Sequence, residues 1–237
     1  MRATGRPGRV QLVGLRSGVD ALLVEAGHCS PEQARQLAEA GAFGPGYAHG
    51  ATVLWDREDV RAVADRPRLE VDHLPALLAG PDSPTLAVIA RQGPRVDLPP
   101  GEDPTRGWYG VDLFAPPAEQ RLASDRWWTL GEAKRRRLRD ALNTAGQVPF
   151  IASLSGHVVG AYTILDLDDD PRFGLRFVLD EQPPPWAPHL LGRWLRTGRG
   201  AALLLLDLAA PTPTAAPAGD AEPATGAEHP APEGESR

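Results

Sequence analysis

Two apolar runs, Phe150–Leu154 and Val158–Leu165, flank Ser155-Gly156 in the stretch PFIASLSGHVVGAYTILDL. Short runs rich in β-branched and aromatic residues read as strands, and a two-residue link ending in glycine reads as a hairpin turn. A second turn, DDDPRFG, leads into LRFVLD, where Leu175, Phe177 and Leu179 alternate. AALLLLDL (Ala201–Leu208) reads as a last buried strand. One helix followed by consecutive hairpin strands predicts a small antiparallel sheet or a partly closed barrel. Upstream, TLAVIA (Thr85–Ala90) and WYGVDLF (Trp108–Phe114) are strand candidates, joined by the turn-rich GPRVDLPPGEDPTRG.

The N-terminal third follows a helical rhythm instead. Ser17–Ala26 reads as a short helix with Ser17 as its cap, stopped by Gly27. In CSPEQARQLAEAGAFGPG, Ser30 is placed to cap a helix, Pro31 takes the first helical position, and Gln33 completes a capping box. Ala34, Leu37, Ala38 and Gly41 share its apolar face, and Gly41 ends it. Gly50–Trp55 is a short strand, after which Asp56 caps a third helix with Val60, Val63 and Ala64 facing inward. Asp72–Ala79 adds a further helical turn or two.

The expected fold class is therefore α+β. A helical module occupies residues 10–80, a strand-and-loop connection 81–120, a β domain 121–208, and an acidic tail 209–237. The tail lacks Leu, Ile, Val and aromatics, so it cannot bury a core and is expected to be disordered. Residues 1–9 are expected to be loose as well.

Composition narrows the function classes. Cys29 is the single cysteine, so neither an intramolecular disulfide nor a paired-cysteine metal site is expected. No run of 18 apolar residues offers a membrane span, and MRATGRPGRV lacks the apolar core of a signal peptide, so cytoplasm is the expected location. Net charge is −6, but residues 121–208 carry 12 basic and 10 acidic groups, so the overall balance does not exclude a phosphate-bearing partner. No phosphate loop, dinucleotide fingerprint, G-x-S-x-G or H-E-x-x-H occurs, and neither a cofactor nor a metal is expected.

Two resemblances follow from particular residues. Gly41, the Gly44–Gly50 loop, Trp55, Asp59 and Val60 stand where the winged helix-turn-helix of MerR-type regulators and excisionases has a helix end, a hairpin wing, an aromatic and an acid-capped helix opening with "DV". The stretch Gly18–Pro67 resembles that module, although its wing, Tyr47-Ala48-His49-Gly50, holds no Arg or Lys. From Trp127 to Leu208 the chain resembles PUA-like barrels of the EVE and ASCH group. The matching residues are Trp127-Trp128, then Gly156-His157-Val158-Val159-Gly160-Ala161-Tyr162-Thr163-Ile164, then Arg176-Phe177. That resemblance implies a pocket for a base, a nucleotide or folded RNA, with Tyr162 and Arg176 among its contacts.

RWWTLGEAKRRRLRDAL (Arg126–Leu142) is the stretch with the most to offer a nucleic acid. Trp127 or Trp128 would stack on a base beside Arg126, while Lys134, Arg135, Arg136 and Arg139 meet phosphates. The competing reading places Leu130, Leu138 and Leu142 of a helix against the sheet and turns its basic face to water. A third pattern, Glu132-Ala133-Lys134 with Pro81-Asp82 upstream, imitates the metal site of restriction-type nucleases, but it opens a helix where a strand is required. The aspartates Asp166, Asp168, Asp169 and Asp170 read as a solvated turn, since Pro171 and Phe177 stand where a calcium loop needs Gly and Glu. His28-Cys29 reads as structural, and His157 has no assigned role. The leading expectation is a non-catalytic nucleic-acid-binding or regulatory protein. The alternatives are a protein–protein adaptor and a metal-dependent nuclease; no membrane partner is expected.

Overall fold

The computed structural model describes residues 11–79, 84–197 and 201–208. The expectations placed on residues 1–9, on Asp82 and on the tail 209–237 lie outside these residues.

The chain begins with β1 (Leu12–Gly14), α1 (Asp20–Glu25), α2 (Pro31–Glu39), β2 (Tyr47–His49), β3 (Thr52–Asp56) and α3 (Arg57–Ala64). The three strands form an antiparallel sheet in the order β1-β3-β2. Two caps form as the sequence predicts. The Ser30 side chain accepts from the Gln33 N–H while Gln33 reaches back to the Ser30 N–H, and Asp56 accepts from the Glu58 N–H. Ser17 is no cap, because a wider π-helical turn over Leu15–Val19 precedes α1 and Ser17 lies inside it. Val19, Leu23, Leu37, Phe43 and Val60 close a core beneath the small sheet.

The second part adds β4 (Arg68–Glu70), α4 (Leu74–Leu78), β5 (Leu86–Gln92), β6 (Val96–Asp97), β7 (Trp108–Tyr109), α5 (Pro117–Ser124) and α6 (Glu132–Ala145). Then follow β8 (Val148–Leu154), β9 (His157–Asp170), β10 (Gly174–Leu179), α7 (Ala187–Leu190), β11 (Trp194–Arg196) and β12 (Leu203–Asp207). The large sheet runs β12-β5-β8-β9-β11-β4, with β10 also paired to β9.

The α+β class holds, but the expected antiparallel barrel gives way to an open, mixed sheet. β5 pairs parallel with β8, and β4 parallel with β11. Parallel neighbours need a crossover. Here α5 and α6 supply it, carrying the chain back before β8 begins. β12 and β4 stand at opposite ends of the strand order, so the described strands do not close into a ring. The pairing of β4 with β11 also ties residues before 80 into this sheet.

Helices cover both faces, which explains why β5 and β8 read as continuous apolar runs. Val88, Phe150, Ile164 and Phe177 face Leu138 and Ala141 of α6. Ile89, Ile151 and Val158 face Leu74 and Leu78 of α4. The predicted Ser155-Gly156 turn joins β8 to β9 with both residues at positive φ, 54° and 88°, as a primed hairpin turn requires. The strand expected over Trp108–Phe114 ends at Tyr109 because Gly110 turns the backbone at φ 96°, tight against the Pro94 carbonyl.

Candidate functional site

β4, β5, β8 and β11 point the same way, so their C-terminal ends share one edge of the sheet. Three adjoining cavities lie along that edge. The first, about 350 Å³, is bounded by Arg91 and Gln92 at the end of β5, by Arg106 and Tyr109, and by Arg126, Trp127 and Trp128. The second, about 420 Å³, shares Arg91 and Gln92 and continues past the Ser155-Gly156 turn to Arg196 and Thr197, with His28, Gln33 and Gln36 as its far wall. The third, about 210 Å³, shares His28, Gly156 and Arg196 and turns back from the edge along β11 to Arg68 at the start of β4, while Glu70 at the end of β4 pairs in register with Arg196. Among the described residues, no Asp or Glu lines any of these three. Five arginines line these cavities, with Asp103 and Asp125 buried behind two of them, in a chain of net charge −6.

At the first cavity the arginines are held rigidly. The buried Arg126 guanidinium pairs with the equally buried Asp125, with Nη2 at 2.7 Å from Oδ2. Arg106 donates to Asp103 at 2.9 Å and to the carbonyls of Ala123 and Arg126. Trp127 donates its indole N–H to Asp103 at 2.8 Å and stacks on Phe173 with ring centroids 5.3 Å apart. Burial works against an ionised Asp103. The Thr105 hydroxyl and N–H, the Trp127 N–H and the Arg106 charge outweigh it and hold the carboxyl down at about 2. Trp128 faces the core, stacked on Phe177 and donating to the Ser124 carbonyl, so only its flank meets the cavity.

The other end is built where the N-terminal helices meet the sheet. His28 lies flat on Trp194, which also meets His157 in a T-shaped arrangement with ring centroids 5.1 Å apart. His28 Nε2 donates to the Ala64 carbonyl at 2.6 Å, which leaves Nδ1 to accept from Arg68 Nε at 3.1 Å. Burial is the largest influence on both imidazoles, lowering His28 and pushing His157 down to about 4. Ser155 donates to Gln36 at 2.9 Å, fixing the turn against α2. Arg91 donates to the Thr197 hydroxyl at 3.2 Å. The Arg196 side chain makes no ion pair or hydrogen bond with the described residues, while its backbone pairs with Glu70 in the sheet.

Of the residues singled out from sequence, Arg126, Trp127 and Trp128 come together at this groove. The others lie elsewhere. Arg135 donates to the Leu130 carbonyl and to Asp169, and Arg139 reaches the same carboxylate. Lys134 approaches the Leu203 carbonyl at 3.5 Å. Arg136 is exposed and has no partner among the described residues. Tyr162 packs on Phe150, and burial raises its phenol pKa. Arg176 reaches from Asp125 to Asp168. Glu132 opens α6, and the four aspartates at 166–170 lie on β9 rather than in its turn. Burial pushes the Cys29 thiol up to about 11, which leaves it protonated. Among the described residues no group of three His, Cys, Asp or Glu is placed to hold a metal ion.

Sequence reasoning missed Arg68, Arg91, Arg106, Tyr109 and Arg196. They are scattered over 129 positions and share no local motif; only the strand order brings them to neighbouring cavities.

The site belongs to an α+β protein with an open mixed sheet and a basic, aromatic-ended groove across its strand ends. Comparison with protein-family models, with curated proteins and with solved structures gives no match for this chain.

Proposed function

We propose that this chain is a non-catalytic nucleic-acid-binding protein whose contact surface is the strand-end groove rather than the basic face of α6. The observation that supports it is the lining by described residues: five arginines, two of them held by the buried Asp103 and Asp125, with the half-exposed Tyr109 ring at one end. Cations in a recess concentrate potential and draw phosphate, and aromatic faces accept bases of any sequence. Arg106 and Arg126 are already paired with Asp103 and Asp125, so the charge offered to a ligand comes from Arg68, Arg91 and Arg196; on α6, Arg135 and Arg139 share Asp169 and Arg137 meets Asp207. The N-terminal segment, read as a winged-helix-like module, contributes a wall through His28, Gln33 and Gln36.

The test is binding of a labelled nucleic acid across a salt series with two single reversals. Arg196→Glu should weaken binding about tenfold, and Arg136→Glu should leave it within about twofold. The reverse ranking would return the surface to α6 and end this assignment.

A further inference from the structure

The groove also speaks to the form of the ligand, an inference that rests on the nucleic-acid reading above. Its three cavities form a single file. The first and second share Arg91 and Gln92; the second and third share His28, Gly156 and Arg196. From β5 to β4 the groove crosses four strand intervals, β5-β8-β9-β11-β4, or about 19 Å at the usual strand spacing. The Tyr109–Trp127 cavity extends it beyond β5. The basic surface is thus elongated and recessed.

Duplex readers work the other way round. They push a helix or a two-stranded ribbon into the groove of the nucleic acid. The protruding elements here are poorly equipped for that. The β2–β3 ribbon is exposed, but its strands and tip, Tyr47–Asp56, hold no Arg or Lys. On α6 the cations Arg135, Arg137 and Arg139 are tied to aspartates. What a recessed groove can admit is a strand whose bases are already unpaired. Tyr109 is 43% exposed at its mouth and offers a ring for one of them.

We infer that the groove takes a single strand of nucleic acid, on the order of four nucleotides long, the lower end of site sizes for single-strand-binding folds. One base lies in the Tyr109–Trp127 cavity, and the backbone passes Arg91, Arg196 and Arg68. Three phosphate contacts on a single strand release about two counterions, so log K should fall with log salt at a slope near −2.

The experiment uses the full chain and fluorescence anisotropy of labelled single strands of two, four, eight and twelve nucleotides, as DNA and as RNA, with a blunt twelve-base-pair duplex alongside. Affinity should rise to about four nucleotides and then level off. The duplex should bind at least tenfold more weakly. Arg196→Glu should flatten the salt slope by about one. Tyr109→Ala should weaken every strand of four or more by about tenfold, with its thermal unfolding measured to show that the fold is intact. Equal or tighter binding of the duplex, or affinity that climbs evenly to twelve nucleotides, would overturn the single-strand inference while leaving nucleic-acid binding standing. Absence of binding by every probe at low salt would remove both.

Discussion

The imidazole of His28 lies on the indole of Trp194 with centroids 4.5 Å apart and planes within 12° of parallel. The contact joins the loop before α2 to the strand that pairs with β4 and β9. Trp194 is almost completely buried and donates to the Val63 carbonyl at 2.9 Å, so it fastens α3 as well. Trp194→Ala should therefore destabilise the protein by roughly 3–5 kcal/mol. His28→Ala, which spares the indole, should cost less. Denaturant unfolding of both variants measures this; a Trp194→Ala loss under about 1 kcal/mol would mean that the N-terminal helices are held by other contacts.

The same cluster sets an acid response. Burial pushes His157 down to about 4, with Arg66 and His28 opposing its charge further and the Gly192 backbone favouring it. The fold therefore prefers the neutral ring, whereas the unfolded chain takes up a proton near pH 6.5. Stability is complete above that pH and is lost as pH falls towards 4, by roughly 3 kcal/mol in all. Urea midpoints at pH 7.5 and 4.5 should show the fall, and His157→Leu should remove most of it. An unchanged slope in that variant would place the acid response elsewhere.

Asp103 works in a lower window. It holds the Trp127 N–H and the Arg106 guanidinium at once, and its ionised form is favoured down to about pH 2. Its contribution is present above about pH 4 and declines as pH falls through 2. Asp103→Asn keeps the shape but takes the nearest counter-charge from the half-buried Arg106, leaving Asp125 as the remaining one, a change that costs at most about 3 kcal/mol. Trp127 should loosen with it, so the variant should also lose affinity for single strands. Intrinsic tryptophan fluorescence and anisotropy titrations check the two effects together.

How much of this was legible in the sequence follows from how local each signal is. The Ser30 capping box, the Asp56 cap and the Ser155-Gly156 turn are fixed by residues within three positions of one another, and all three form as read. The class of the fold is equally legible, because strand and helix periodicities differ. Sheet order is not. Nothing in TLAVIA announces that it will lie parallel to PFIASL, and α5 opens on a proline pair, with Pro117 in its first turn, where no polar cap marks a start. The groove inherits that blindness. Arg126 and Trp127 were conspicuous as neighbours in sequence, whereas Arg91 and Arg196 become neighbours only through the paired strands between them.

The charge run of α6 was conspicuous for the same reason, and its neutralisation by a distant residue was hidden. Asp169, about a third exposed, accepts from both Arg135 and Arg139 across 34 and 30 positions. An exposed pair of this kind contributes less than about 1 kcal/mol to stability, so Asp169→Asn should unfold at nearly the wild-type temperature. Its effect on binding should be larger than its effect on the fold. The substitution releases two guanidinium groups beside the unpartnered Arg136 and creates a basic helix face. Affinity for duplex should then rise, with a steeper salt slope than the native protein shows, while the strand-end groove and its length dependence stay as they were. A variant whose duplex affinity does not move would show that the α6 cations are already available in the native protein, and that their pairing with Asp169 does not govern what this helix binds.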